Sequence, residues 1–118
     1  MTAPRLSFPK SKRLIRTADF ELVKNEGRAQ RGKLLILGVA EKREDFRAGF
    51  VTSKRVGGAV VRNRIRRRLR EIVRQHQHEI VHAIWIVTIA RPPAARATFL
   101  ELEHEWLRLA ERASILAR

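Results

Sequence analysis

Apolar positions along this chain follow two different rhythms. Towards the C-terminus, Phe99, Leu102, Trp106, Leu109, Ala113 and Leu116 recur at spacings of three and four, which predicts a helix with one apolar face. Leu34–Ala40 and Ile84–Ile89 are short, nearly continuous apolar runs, which predict strands buried on both faces. Arg47–Ser53 reads as a further strand, and the polar turn Glu41–Asp45 before it predicts a hairpin with the first. Gly57-Gly58 breaks the chain, and a helix is expected from Ala59 to Gln75. Residues 76–82 read as a connection, and Pro92-Pro93 ends the last strand. Near the start, Thr17 is placed to cap a short helix, with Asp19 and Glu21 at its positive end. Phe20 and Val23 share a face of that helix, and Gly27 is its expected stop. Residues 1–12, with Pro4, Pro9, Lys10 and Lys12, read as a basic extended arm. The order is α-β-β-α-β-α: an α+β or α/β two-layer sandwich with helices on a small sheet, in one domain spanning residues 1–118.

Charge narrows what such a domain does. Lys and Arg number 26 against 12 Asp and Glu, for a formal charge of +14 and a pI near 11.7. A compact body that positive repels itself, so a polyanionic partner is expected, nucleic acid or an anionic membrane. There is no cysteine, which removes disulfides and thiol chemistry and points to the cytoplasm. The stretch Met1–Arg5 lacks the apolar core of a secretory signal, and the apolar run around Ala83–Ala90 is too short to span a bilayer.

The charge is concentrated in residues 53–74, which hold nine basic residues and one acidic, Glu71. On a helical wheel, Val61, Ile65, Leu69, Ile72 and Val73 form the core-facing stripe. Arg62, Arg66, Arg70, Arg74 and Arg67 occupy the polar side with Asn63, and Arg64 and Arg68 the other flank. A solvated, salt-bridged surface helix would need acidic partners, and one glutamate does not supply them. Like charges four residues apart cost about 0.2–0.5 kcal/mol each. Arg62 and Arg64 also sit at the positive end of the helix dipole. Phosphates would relieve this strain by displacing condensed counterions. Glycines ahead of a helix also let backbone amides approach an anion; glycine pairs are commoner as plain turns, and Gly57-Gly58 adds to the picture only by standing directly before the arginine ridge.

The run Ser53-Lys54-Arg55-Val56-Gly57-Gly58-Ala59-Val60-Val61-Arg62-Asn63-Arg64-Ile65-Arg66-Arg67-Arg68-Leu69-Arg70-Glu71 closely resembles the signature of the bacterial ribonuclease P protein component, S-K-K-[VI]-G-N-A-V-x-R-N-R-x-K-R-x-x-R-E. The resemblance extends to Arg13-Leu14, Asp19-Phe20 and Gly27, to Arg47-x-Gly49 with Val51-x-Ser53-Lys54, and to Ile89-Ala90-Arg91-Pro92. It implies the order α-β-β-β-α-β-α, with a left-handed βαβ crossover around the arginine helix and an extra strand near Arg28-Ala29. The activity it implies is magnesium-dependent endonucleolytic removal of the 5′ leader of precursor tRNA. The reaction centre and most of the magnesium would belong to the RNA subunit, with no catalytic or metal-binding residue in the protein. One protein would bind one ribonuclease P RNA. By position, Arg62, Asn63, Arg64, Arg66, Arg67 and Arg70 would meet the catalytic RNA. Phe20, Lys54, Arg55 and Arg91 would take the single-stranded leader, since single strands stack on aromatics and present phosphates to cations. Three departures stand out: Gly58 replaces the usual Asn, Lys24 a common second helix aromatic, and no aromatic lies near Gly38.

From the residues alone, Phe20 reads equally as core or stacking platform, whereas Phe50, Trp85, Phe99 and Trp106 read as core. His76, His78 and His82 lack a completing carboxylate or thiolate and read as a polar loop rather than a metal site. Glu101, Glu103 and Glu105 read as solubilising charge. A ribosomal or other non-enzymatic RNA-binding protein is the rival reading. A DNA-binding helix lacks a paired turn-helix or dimer heptad, and a membrane binder lacks aromatic anchors on the helix.

Overall fold

The computed structural model describes residues 13, 14, 16–81 and 83–117. The expected N-terminal arm at 1–12 and His82 lie outside the described residues. Helices α1 (Thr17–Glu26), α2 (Ala59–His76) and α3 (Phe99–Arg112) pack on strands β1 (Arg28–Arg31), β2 (Leu35–Ala40), β3 (Arg47–Thr52) and β4 (Trp85–Ala90). The order along the chain is α-β-β-β-α-β-α.

The sheet runs β1-β2-β4-β3. β4 pairs antiparallel with β2 (Leu37 opposite Thr88) and parallel with β3 (Phe50 opposite Thr88). The predicted β2–β3 hairpin is therefore wrong: β4 lies between the two strands. The physical reason is burial. β4, Trp-Ile-Val-Thr-Ile-Ala, has four of its six residues buried and takes a central place, where both edges are hydrogen-bonded. β3, α2 and β4 form the parallel βαβ unit. The extra strand near Arg28 is present as β1, an edge strand of mostly exposed polar residues.

One face of the sheet carries the main core. Leu35, Leu37, Val39, Ala48 and Ile86 meet Ile65, Leu69, Ile72 and Val73 of α2 and Leu102, Trp106 and Leu109 of α3. Trp106 is fully buried and its indole N–H donates to Thr88 Oγ1 at 3.1 Å. Phe50 and Phe99 pack at the margin of this core, half-buried. The opposite face carries a smaller cluster around Leu14, Val23 and Val87 beneath α1. Burial of β2 on both faces is thus only partial, because Ile36 and Gly38 remain half-exposed on the α1 side.

Local details also depart from expectation. The α1 N-cap is Arg16, without a side-chain cap, and Thr17 is the first helical residue. α3 ends at Arg112, and the chain beyond it turns back: Val81 N–H donates to Ile115 O at 2.7 Å. The glutamates of α3 are structural. Glu101 closes a capping box with Thr98, Glu103 Oε2 lies 2.9 Å from His76 Nε2, and Glu105 is buried. Glu105 Oε2 accepts from the backbone amides of Leu34 and Leu35 at 2.5 and 2.7 Å, holding the β1–β2 turn. His76 is no loop residue: it ends α2, stacks on Trp106 and also bonds Glu79.

Candidate nucleic-acid interface

The turn ahead of α2 needs one glycine for its backbone. Gly57 has φ +155°, a conformation that side chains rarely adopt, whereas Gly58 is the N-cap and faces open space. An Asn at 58 would therefore fit, and its absence leaves the fold intact. α2 then starts with no acidic residue in its first turn and no side-chain cap.

Its arginines form two rows with different surroundings. On one flank, Arg64 donates to Ala95 O at 3.2 Å and Arg68 to Ala97 O at 3.1 Å, tying α2 to the segment between β4 and α3. On the other flank, Arg62, Arg66 and Arg70 run beside β3, with the exposed Asn63 and Arg67 between the rows. Arg66 donates to Asn63 Oδ1. Arg74, at the end of that row, pairs with Glu71. The Nε atoms of Arg62, Arg64 and Arg70 are buried without an acceptor. Burial, followed by repulsion from Arg13 and Arg66, holds the Arg70 guanidinium below its ordinary value. The sequence placed Arg62 on the polar side, but it is half-buried at the edge of the apolar stripe.

A groove of about 460 Å³ lies between α1 and the uncovered sheet face. Its floor is Ile36, Gly38, Val51, Val87 and Ile89; its walls include Phe20 and Lys24 from α1 and Arg28 and Arg31 from β1. A second groove, about 300 Å³, runs between α1, β3 and α2 and is lined by Phe20, Phe50, Arg66 and Arg70. Phe20, half-buried, is the wall between them.

The remaining leader-side candidates are not in the groove lining. Lys54 and Arg55 are exposed in the turn after β3, and Arg91 follows β4. Because β3 and β4 are parallel with Thr52 opposite Ala90, these three residues gather at one end of the sheet. Arg91 is held there, donating through its guanidinium to Gly32 O at 2.7 Å and through its backbone to Leu34 O at 2.8 Å. Arg28 and Arg31 carry no sequence signal as groove residues, since β1 has no apolar alternation to reveal it as a strand beside the groove, and Lys24 joins them from α1. Arg28 is partly engaged, bonding Glu41 and Ala113 O.

A family model for ribonuclease P matches residues 8–114. The chain belongs to the ribonuclease P protein family. Among curated relatives, the ribonuclease P protein component of Acidothermus cellulolyticus is 44% identical over 108 residues, covering 89% of this chain and 90% of that one. That of Roseiflexus sp. is 43% identical over 106 residues, covering 88% and 87%. The fold of this ribonuclease P family member is similar to solved structures. The Staphylococcus aureus RNase P protein superposes with a TM-score of 0.83 at 29% identity, covering 91% of this chain and 99% of that one. The Thermotoga maritima RNase P protein gives 0.77 at 28% identity, covering 85% and 96%.

Proposed function

We propose that this ribonuclease P family member takes part in tRNA 5′ maturation by binding the catalytic RNA through α2 and the precursor's 5′ leader in the α1–sheet groove. Arg62, Asn63, Arg66, Arg67 and Arg70 present the RNA-facing surface, joined by Arg64 at its carbonyl-anchored edge. Phe20 offers an aromatic face to leader bases, and Lys54, Arg55 and Arg91 offer cations at the end of the parallel strands. The observation that carries this reading is the arginine row itself. A free protein that holds the half-buried Arg70 guanidinium beside Arg66 and Arg13 bears a cost that phosphate contacts would relieve.

Hydrolysis is assigned to magnesium held by the RNA subunit in a cytoplasmic ribonucleoprotein. Among the described residues, no group of three or more His, Cys, Asp or Glu side chains is arranged to hold a metal ion. No helix among the described residues is long and apolar enough to cross a membrane.

Affinity for ribonuclease P RNA, measured against salt for wild type and Arg66→Gln/Arg70→Gln, tests the interface. The variant is expected to fold as well as wild type or slightly better, because repulsion falls. It is expected to bind RNA more weakly, with a log–log salt slope flatter by up to about one unit per lost phosphate contact. Parallel salt plots of equal affinity would refute the arginine row as an RNA site.

A further inference from the structure

Gly49 sits in the middle of β3, buried, with no unusual backbone: Gly57 is the positive-φ glycine among the described residues. What Gly49 lacks is room. A Cβ built there would lie 2.6 Å from Phe20 Cε1, 2.8 Å from Phe20 Cζ and 3.0 Å from Leu14 Cβ. The first two distances are far inside van der Waals contact, so the Phe20 ring rests on the bare Cα of Gly49.

The surroundings decide what would give way. Leu14 is pinned to β3, its N–H donating to Ala48 O at 2.9 Å beside a parallel bridge between Arg13 and Ala48. Backbone so held does not move readily. The ring of Phe20 ends a side chain with two rotatable bonds and borders open groove space on two sides. A methyl group at position 49 therefore displaces the ring rather than the strand. Gly49 also ends a cross-sheet row, Ala29, Gly38, Val87 and Gly49, in which each residue lies opposite the next. In this row only Gly49 has the aromatic ring within 3 Å of its missing Cβ, for Gly38 would meet Val23 at an ordinary 3.4 Å.

We propose that Gly49 is a positioning residue for leader recognition: its missing side chain lets the Phe20 ring close onto β3 while still bordering the groove, where it can stack on a leader base. This rests on the leader-groove reading above and adds a residue that touches no RNA.

The test uses holoenzyme reconstituted from the full chain and ribonuclease P RNA. Affinities for leader-bearing precursor and for mature tRNA are measured for wild type, Gly49→Ala, Phe20→Ala and the double variant, with thermal melts of each protein. Gly49→Ala is expected to lower the precursor-to-mature affinity ratio by about 5- to 150-fold, the range spanned by one base–aromatic stack. In the Phe20→Ala background the same substitution is expected to change the ratio no further. An unchanged ratio in Gly49→Ala alone, or losses that multiply in the double variant, overturns the role of Gly49. So does a Gly49→Ala protein that melts far below wild type and loses both affinities together, since the contact is then structural. An unchanged ratio in Phe20→Ala overturns the leader reading itself, and this proposal with it.

Discussion

The two faces of the sheet are built from alternate residues of the same strands, yet they serve opposite ends. On the α2–α3 face, Leu35, Leu37, Ile86 and Thr88 are closed over by fully buried side chains such as Trp106 and Leu69. On the α1 face, Ile36, Gly38, Val51 and Ile89 are left half-exposed along a groove. The first face stores the stability, and the second gives up burial to keep a surface open. α1 makes the difference, for it is ten residues long and covers one side of its sheet face only. Along the groove, a residue's place in the alternation therefore separates the half-exposed positions from the closed core, while Leu14, Val23 and Val87 beneath α1 remain buried.

The contrast is sharpest for Trp106→Ala. Emptying that site and orphaning Thr88 is expected to cost about 3–5 kcal/mol of stability in a chemical denaturation series. A loss under about 1 kcal/mol would show that the α2–α3 face does not dominate the core. Phe20→Ala on the other face is expected to reverse the pattern: little change in melting temperature, and leader-bearing substrate weakened by about 1–3 kcal/mol. A large stability loss with unchanged preference for leader-bearing tRNA would place Phe20 in the core. The smallest effect belongs to His76, on the closed face. Burial pulls its pKa down, but hydrogen bonds to Glu79 and Glu103 outweigh this and hold it above the ordinary 6.5. A raised folded pKa means the charged ring favours the folded state. That contribution is fully present below about pH 6.5 and is lost as pH rises through the folded value. Melting temperature followed upward from pH 6 is expected to fall slightly in wild type and not in His76→Gln; coincident pH profiles would remove His76 from the stability of the closed face.

Much of this contrast was legible in the sequence, and the gaps have physical causes. The apolar stripe of α2 and the spacing of α3 mark the helices of the closed face directly, because a helix declares its buried side in a window of a few turns. Strand partnership is not local. Two strands joined by a short polar turn satisfy every hairpin rule, and only the burial of Trp85–Ala90 on both flanks explains why β2 and β3 part to admit it. β1 was visible only through family resemblance, since Arg28–Arg31 carries no apolar alternation. Glu105 was misread because its charge outweighed its phase. It lies three residues after Leu102 and one before Trp106, on the buried side, where the amides of Leu34 in the β1–β2 turn and Leu35 at the start of β2 donate to it. Of the candidate site residues, the signature marks the α2 arginines, while their division into a carbonyl-anchored row and a groove-side row depends on the short 3-10 helix Pro92–Arg96 and Ala97 packed beside them.

The central place of β4 has a consequence for how the molecule comes into being. As the chain is synthesised, β2 and β3 exist before the strand that joins them, and neither can bond the other in the final arrangement. Closing the sheet requires contacts distant in sequence, whose loop entropy is spent before any pairing is gained. α2 is the connection that delivers β4, so the basic helix emerges from the ribosome ahead of the strand that completes its seat. The groove floor, which includes Val87 and Ile89 of β4, thus cannot be complete until the strand that follows the arginine helix in the chain has been added.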